Sequence, residues 1–447
     1  VSRLFLWTLD AAYLAVLFLA SPWLLWSAWR QGKYREGFAE KVLGRVPLRT
    51  SHRPCVWLHA VSVGEVNLIA TTLKQIIGCR PDWDVVISTT TKAGYDLAKK
   101  KYADHTVFYC PIDFSWATKR AMRQVRPDLL VLAELELWPN LIAAAKDEGA
   151  QVAIINGRLS DKSFRGYSRF RPLVSRVLSR IDLIAAQNEE TAERFCKLGA
   201  RPERVYATGS LKFDGAMTDR NNPRTQQLRE LAGFKSEDIV FLVGSTQSPE
   251  EEIGVRIYRQ LVGEYPRLKL VIVPRHPQRF EEVGELLGQS GMPWVRRSQL
   301  DQPCPDTAGR ASRGTLEGSS IVLVDTIGEL GAWWGMATVG FVGGSFGGRG
   351  GQNMIEPAAY GVATCFGPNT WNFRDIVAQL QRVDGAKVVK NETELAEFVK
   401  RVLSDPEFGT GLGQRAQQLV LDQQGATKRT VELLLPLINE RRQARAA

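Results

Sequence analysis

The chain has 447 residues, 44% hydrophobic and 24% charged, and carries a net charge of +10. This composition excludes a disordered, collagen-like or repetitive polypeptide, and at roughly 150 residues per domain it fits two to three domains with sizeable cores. Six cysteines without a CxxC pair and only four histidines encode neither a disulfide framework nor a zinc site of ordinary ligand spacing, so a reduced, cytoplasmic body without a metal is expected.

The first element is apolar. Residues 11–29, AAYLAVLFLASPWLLWSAW, are nineteen residues without a charge, roughly 28 Å of helix and close to the hydrocarbon thickness of a bilayer. Asp10 and Pro22 weaken a simple span, whereas Trp23, Trp26 and Trp29 beside Arg30, Lys33 and Arg35 suit an interfacial end. The long apolar run, the charge that follows it and the lack of a small-x-small site predict a retained membrane anchor over residues 1–30, with the body on the cytoplasmic side, rather than a cleaved leader. Charge is concentrated as well. Residues 1–53 hold eight Lys and Arg against three acids, and residues 160–180 hold six against one, so each segment is +5 and the remainder is about neutral. The second segment reads as one helix, with Phe164, Tyr167, Phe170, Leu173, Val174 and Val177 as an apolar stripe. Lys162, Arg165, Arg169 and Arg171 on it are expected to face a membrane surface or anionic lipid headgroups; a solvated face over a core stripe is the plainer alternative. Nucleic acid is not expected as a partner.

From residue 55 onward short apolar runs alternate with helical stretches, the pattern of parallel α/β sheets. Candidate strands are 55–60, 85–89, 106–110, 129–133, 152–155, 183–186 and 205–208, then 239–243, 268–273, 321–324, 338–342, 364–366 and 387–389. Between the two sets lies DGAMTDRNNPRT, polar and broken by Asn221, Asn222 and Pro223. The expected organisation is an anchor (1–30), a first Rossmann-like domain (31–214), a linker (215–236), a second Rossmann-like domain (237–425), and a helix with a basic tail (426–447). A polar loop is expected over 298–319. Two facing, doubly wound domains would place ligands at the carboxyl ends of their strands.

Several of those strand ends carry chemistry. In VWLHAVSVGEVNLI, Ser62, Gly64 and Glu65 stand at a strand-to-helix turn. Glu65 is a candidate general base for an attacking hydroxyl, and the helix N-terminus is expected to favour its ionised form; an ordinary capping carboxylate is the alternative. Asp82 and Asp84 form a DxD, but it precedes a strand, whereas a sugar transferase's metal site follows one, so no metal ligand is assigned. LAELELWPN puts Glu134 and Glu136 two apart, on one face if extended. Asn156 and Arg158 of NGRLSD and Lys212 of TGSLKFD complete the first-domain candidates, with Lys212 expected to meet an anion across the cleft. In the second domain GSTQSPEEE supplies Ser245 and Thr246, VPRHPQRF supplies Arg275 and His276, and VDTIGEL supplies Thr326 and Gly328. TVGFVGGSFGGRGGQNMIEPAAYG carries Gly343, Gly344 and Ser345 between a strand and a helix, where backbone N–H groups could cradle a phosphate. It is neither a P-loop nor a convincing dinucleotide fingerprint. Asn353 and Glu356 follow, the latter placed for a ribose hydroxyl.

Taken together, HAVSVGE, ELELWPN, NGRLS, TGSLKFD, GSTxxxEE, PRH, DTIGEL and the GGSF…GG…N..EPA run resemble the Kdo (3-deoxy-D-manno-octulosonic acid) transferases of bacterial lipopolysaccharide synthesis, in order over about residues 30–430. The resemblance implies an α/β, two-domain GT-B glycosyltransferase anchored on the inner membrane. It would transfer Kdo from CMP-Kdo to the anionic lipid A precursor (lipid IVA), by inversion and without a cofactor or metal. It implies Glu65 as general base, and Arg275, His276, the Gly343 to Ser345 turn, Asn353 and Glu356 on the CMP side. One departure is Gln352, where family members often carry His; the change keeps hydrogen bonding and removes a titratable group. A UDP-sugar transferase or sugar-nucleotide epimerase would share the fold, and a catalytically silent membrane-bound binding protein is the other class left open.

Overall fold

The computed structural model describes residues 3–31, 36–300 and 321–446. Lys33, Arg35 and, beyond residue 300, the expected polar loop lie outside the described residues, as does the side chain of Trp29. Contacts divide the chain into two compact units, Val1–Gly215 with Gln423–Ala447, and Ala216–Asp422. From Ala216 on, the segment expected to be a linker thus belongs to the second unit and contains the helix Pro223–Leu231, capped by the Asn222 side chain on the Thr225 N–H. The C-terminal helix Ala426–Ala446 belongs to the first.

The first unit is a seven-stranded sheet of β1 (Cys55–His59), β2 (Asp84–Thr89), β3 (Thr106–Tyr109), β4 (Leu129–Ala133), β5 (Gln151–Gly157), β6 (Leu183–Ala186) and β7 (Val205–Ala207), in the order β3-β2-β1-β4-β5-β6-β7. Every pairing is parallel. Parallel strands covered on both faces read as unbroken apolar runs, and β1 and β4 are buried along their whole length. The order reverses between β1 and β4, the place where ligands bind in open α/β sheets. One face is closed by the helix Val63–Cys79, whose Leu68, Ile69 and Leu73 share a core with Val431, Leu434, Leu437 and Ile438 of the C-terminal helix. Asp214 fixes the return of the chain by accepting from the N–H groups of Gly425 and Thr427.

The second unit repeats the plan with β8 (Ile239–Thr246), β9 (Leu268–Pro274), β10 (Trp294–Arg296), β11 (Ile321–Leu323), β12 (Val339–Val342), β13 (Ala363–Phe366) and β14 (Lys387–Val388), in the order β10-β11-β9-β8-β12-β13-β14, again parallel. Its reversal lies between β8 and β12. β10 was not among the expected strands, because three half-buried residues at a sheet edge leave too short an apolar run to read.

The N-terminal helix is continuous from Arg3 to Gln31 through Pro22, and its window Leu6–Trp23 is long and apolar enough to cross a membrane by length and composition. Asp10 does not interrupt it. Its carboxylate is buried against the first unit, accepting from the Ser115 N–H at 3.0 Å, the Ser115 hydroxyl and Asn140 Nδ2 at 3.2 Å. One turn on, Tyr13 donates to Asp113 at 3.5 Å, whose carboxylate also takes the Asn140 and Leu141 N–H groups.

The basic segment departs from expectation. It forms two helices, Asp161–Arg169 and Arg171–Leu178, separated at Phe170, whose ψ of 25° leaves the helical region. Pro172 at the start of the second helix has no N–H to continue the first. The stripe is split too: Phe164 and Tyr167 pack against the core and Val174 and Val177 are buried, whereas Phe170 is 63% exposed and Leu173 40%. Lys162, Arg165, Arg169 and Arg171 are all exposed around them.

Candidate active site

In the first unit the carboxyl ends of β1 and β4 bring acids together. Ser62 caps the helix Val63–Cys79 and Glu65 stands in its first turn. Glu65 Oε2 accepts from the Val61 N–H and Oε1 from the Ser62 hydroxyl, both at 2.8 Å. Both oxygens are therefore oriented, and the side chain is almost buried. Burial pushes its carboxyl above the usual range and Glu134 adds to this, against the lowering effect of the two donors. The net direction is upward because desolvation outweighs the donors that favour the ionised form. Around Gly64, a Cβ would meet only Ser62 Oγ, at 3.7 Å.

Glu134 follows β4 in a left-handed conformation, φ 58°, so it and Glu136 are not an extended pair on one face. They still interact. Burial, with Glu65 and Glu134 as like charges, raises Glu136 to about 7 while Trp138 Nε1–H donates to it at 2.8 Å. Lys212, expected to meet an anion, lies 3.6 Å from Glu134 Oε1 in the same unit. Asn156, φ 54°, is fully buried at the β5–β6 register shift, and its Oδ1 takes the Leu211 N–H at 3.0 Å, which fixes the segment leading to Lys212. Arg158, just past β5, is half-buried. Asp82 and Asp84 lie at the opposite, amino edge of the sheet, where Asp84 opens β2 and pairs with Arg49 at 3.0 Å.

In the second unit Ser245 is the extra residue where β8 shifts register against β9, with φ 55°. The Thr246 hydroxyl donates to Glu251 at 2.7 Å, and the Arg275 N–H to the Thr246 carbonyl at 3.1 Å. The Arg275 and His276 side chains, just past β9, are exposed. The Glu356 carboxyl is raised by burial, against the Asn353 amide, which donates at 3.0 Å, and the nearby positive charge of Arg275. Thr326 donates to Glu329 at 2.7 Å, and Gly328 has a φ of 89°. The glycine-rich turn holds the largest departure. Of the Gly343 to Ser345 turn expected to cradle a phosphate, the N–H groups of Gly344 and Ser345, with that of Phe346, already enclose the carboxylate of Glu250. Glu250 is the first acid of the GSTxxxEE motif, which in sequence carries no sign that it turns back onto the glycine-rich turn. Among the described residues, no cluster of three or more His, Cys, Asp or Glu could hold a metal ion.

A family model described as 3-Deoxy-D-manno-octulosonic-acid transferase (kdotransferase) matches residues 33–215. The chain is 31% identical over 385 residues to the 3-deoxy-D-manno-octulosonic acid transferase of Haemophilus influenzae, covering 86% of this chain and 87% of that protein. It is 30% identical over 426 residues to the enzyme of the same name from Bordetella pertussis, covering 92% and 94%. In fold it is similar to the UDP-GlcNAc 2-epimerase of Neisseria meningitidis, with a TM-score of 0.56 and 13% identity over 86% of this chain and 100% of that one. The two parallel-sheet units have the GT-B type of architecture, and by its extended likeness to the two transferases the chain belongs to the 3-deoxy-D-manno-octulosonic acid transferase family.

Proposed function

We propose that the chain is an inverting glycosyltransferase that moves Kdo from CMP-Kdo to the lipid A precursor lipid IVA in lipopolysaccharide synthesis, at the cytoplasmic face of the inner membrane. The observation that carries this reading is Glu65, a nearly buried carboxylate held by two donors at the reversal of the first sheet. A base works best with a pKa near the working pH, and burial moves Glu65 in that direction. Glu65 takes the proton of the acceptor hydroxyl, whose oxygen forms the new bond to the anomeric carbon. The bond from that carbon to the phosphate oxygen breaks, and CMP leaves with its electron pair. Arg275 and His276 meet the phosphate charge, and Glu356, oriented by Asn353, accepts from ribose hydroxyls. No metal is assigned a role. The apolar helix and the exposed basic segment with Phe170 bring the enzyme to an anionic lipid.

The test is transfer by detergent-purified protein to a tetra-acylated lipid A precursor, with CMP-Kdo made in situ and EDTA present or absent. Product of one or more added Kdo masses in EDTA is the expected result. Loss of product with EDTA, restored by a divalent cation, would overturn metal independence. CMP binding without product would reassign the acceptor, and stabilisation by UDP or UMP but not CMP would reassign the donor.

A further inference from the structure

The order β9-β8-β12 sets three turns side by side at the carboxyl edge of the second sheet. Two consecutive glutamates at the start of the helix Glu250–Leu261 reach to opposite sides of the central turn. Glu250, 2% exposed, accepts from Gly344 at 2.7 Å and Gln247 at 2.9 Å on Oε2, and from Ser345 at 3.0 Å and Phe346 at 3.1 Å on Oε1. Glu251, 1% exposed, accepts from the Thr246 hydroxyl and pairs with Arg279 from the segment after β9. Close approach is built in at Gly343: a Cβ there would fall 2.7 Å from both Glu250 Oε2 and the Thr246 Cα. A ring of backbone N–H groups is an anion site, and here the chain supplies its own anion.

We infer that Glu250 and Glu251 are positioning residues for the donor, a two-carboxylate clasp that fixes the turns after β9, β8 and β12, and that the donor's phosphate is met by Arg275 and His276 instead of by the N–H groups of Gly344, Ser345 and Phe346. This rests on the CMP-Kdo reading above. The Arg275 backbone is tied to the clasp through Thr246, whose carbonyl takes its N–H. In Glu250→Gln, whichever amide orientation is chosen, two of the four N–H groups face an NH2 and lose their acceptor.

The experiment uses the full chain and CMP. In wild-type hydrogen exchange, the amides of residues 344–346 are expected to be slow before CMP is added and to change little on binding. Glu250→Gln is expected to weaken CMP binding and raise the donor KM on the order of tenfold, with a smaller change in kcat. Arg275→Met is expected to erase the preference for CMP over cytidine. Fast 344–346 amides that become protected only with CMP would overturn the clasp and return the phosphate to the loop. So would a Glu250→Gln protein that binds CMP as tightly as wild type, or an Arg275→Met protein that keeps its phosphate preference. A wild-type chain that binds no CMP would instead sink the donor reading, and the clasp's role with it.

Discussion

The first-unit acids show how position and environment divide the work of similar residues. Glu65 has two donors and a raised carboxyl, the combination expected of a base. Glu65→Gln should therefore cut transfer by about 10² to 10⁴ with CMP affinity unchanged, and near-normal turnover would remove it from the reaction. Glu136 differs. Its folded carboxyl keeps its proton up to about 7 against an ordinary value of 4.5, chiefly through burial. Between those values the folded chain holds more protons than the unfolded one, so stability is lost as pH rises through them. Glu136→Gln keeps an oxygen for Trp138 and removes that cost. It should stabilise the protein at pH 8 by about 1 kcal/mol after allowance for solvent screening, and have little effect near pH 4.5; thermal unfolding at both pH values checks it, and an equal shift at both would refute the titration account. The motifs made these residues legible, but not their conformations. Glu134, Asn156 and Ser245 all have positive φ at strand ends, a strain typical of functional edges that residue type alone does not report.

At the scale of elements, the strands were readable because buried parallel strands are continuous apolar runs, as β1 and β4 are. Elements defined by a local conflict were not. A helical stripe continued on paper through residue 170, yet Pro172 ends the first helix and turns Phe170 outward. The roles of Glu250 and Glu251 were not legible because each has a decisive partner far along the chain, Gly344 for Glu250 at 94 residues and Arg279 for Glu251 at 28. Asp10 misled for the same reason. In sequence it is a charge that weakens an apolar span; in the structure it caps the helix Ser115–Val125 by accepting from the Ser115 N–H, and Asn140 supports it from 130 residues away. Asp10→Ala leaves those buried donors without an acceptor and should cost about 1–3 kcal/mol. Hydrogen exchange at the Ser115 amide should accelerate while the Leu141 amide, held by Asp113, stays slow. Unchanged exchange at Ser115 would show that the N-terminal helix is not fastened through Asp10.

For the whole molecule, the distribution of charge and apolar surface says more than the total of +10. Both basic segments, and the apolar helix, belong to the first unit, whereas the remainder of the chain is about neutral. The helix exposes Trp7, Leu14, Val16, Phe18, Leu19 and Trp23, and the basic segment exposes Phe170 and Leu173 among arginines. Each large apolar side chain moved from water into lipid is worth about 1.5–3 kcal/mol, and each Lys or Arg near an anionic surface about 1 kcal/mol, screened by salt. The two surfaces should therefore respond differently. Deleting residues 3–31 should abolish most vesicle binding at any ionic strength and lower transfer to a bilayer-embedded acceptor by tenfold or more. Arg165→Glu with Arg169→Glu should weaken binding to anionic vesicles at low salt and little at 0.5 M. Neither change touches the second unit, so CMP affinity should hold in both. If the deletion weakens CMP binding as much as vesicle binding, the helix serves the fold of the first unit through Asp10 before it serves a membrane; the Asp10→Ala protein, which keeps the apolar surface, then separates the two roles, because a membrane anchor predicts that it still binds vesicles.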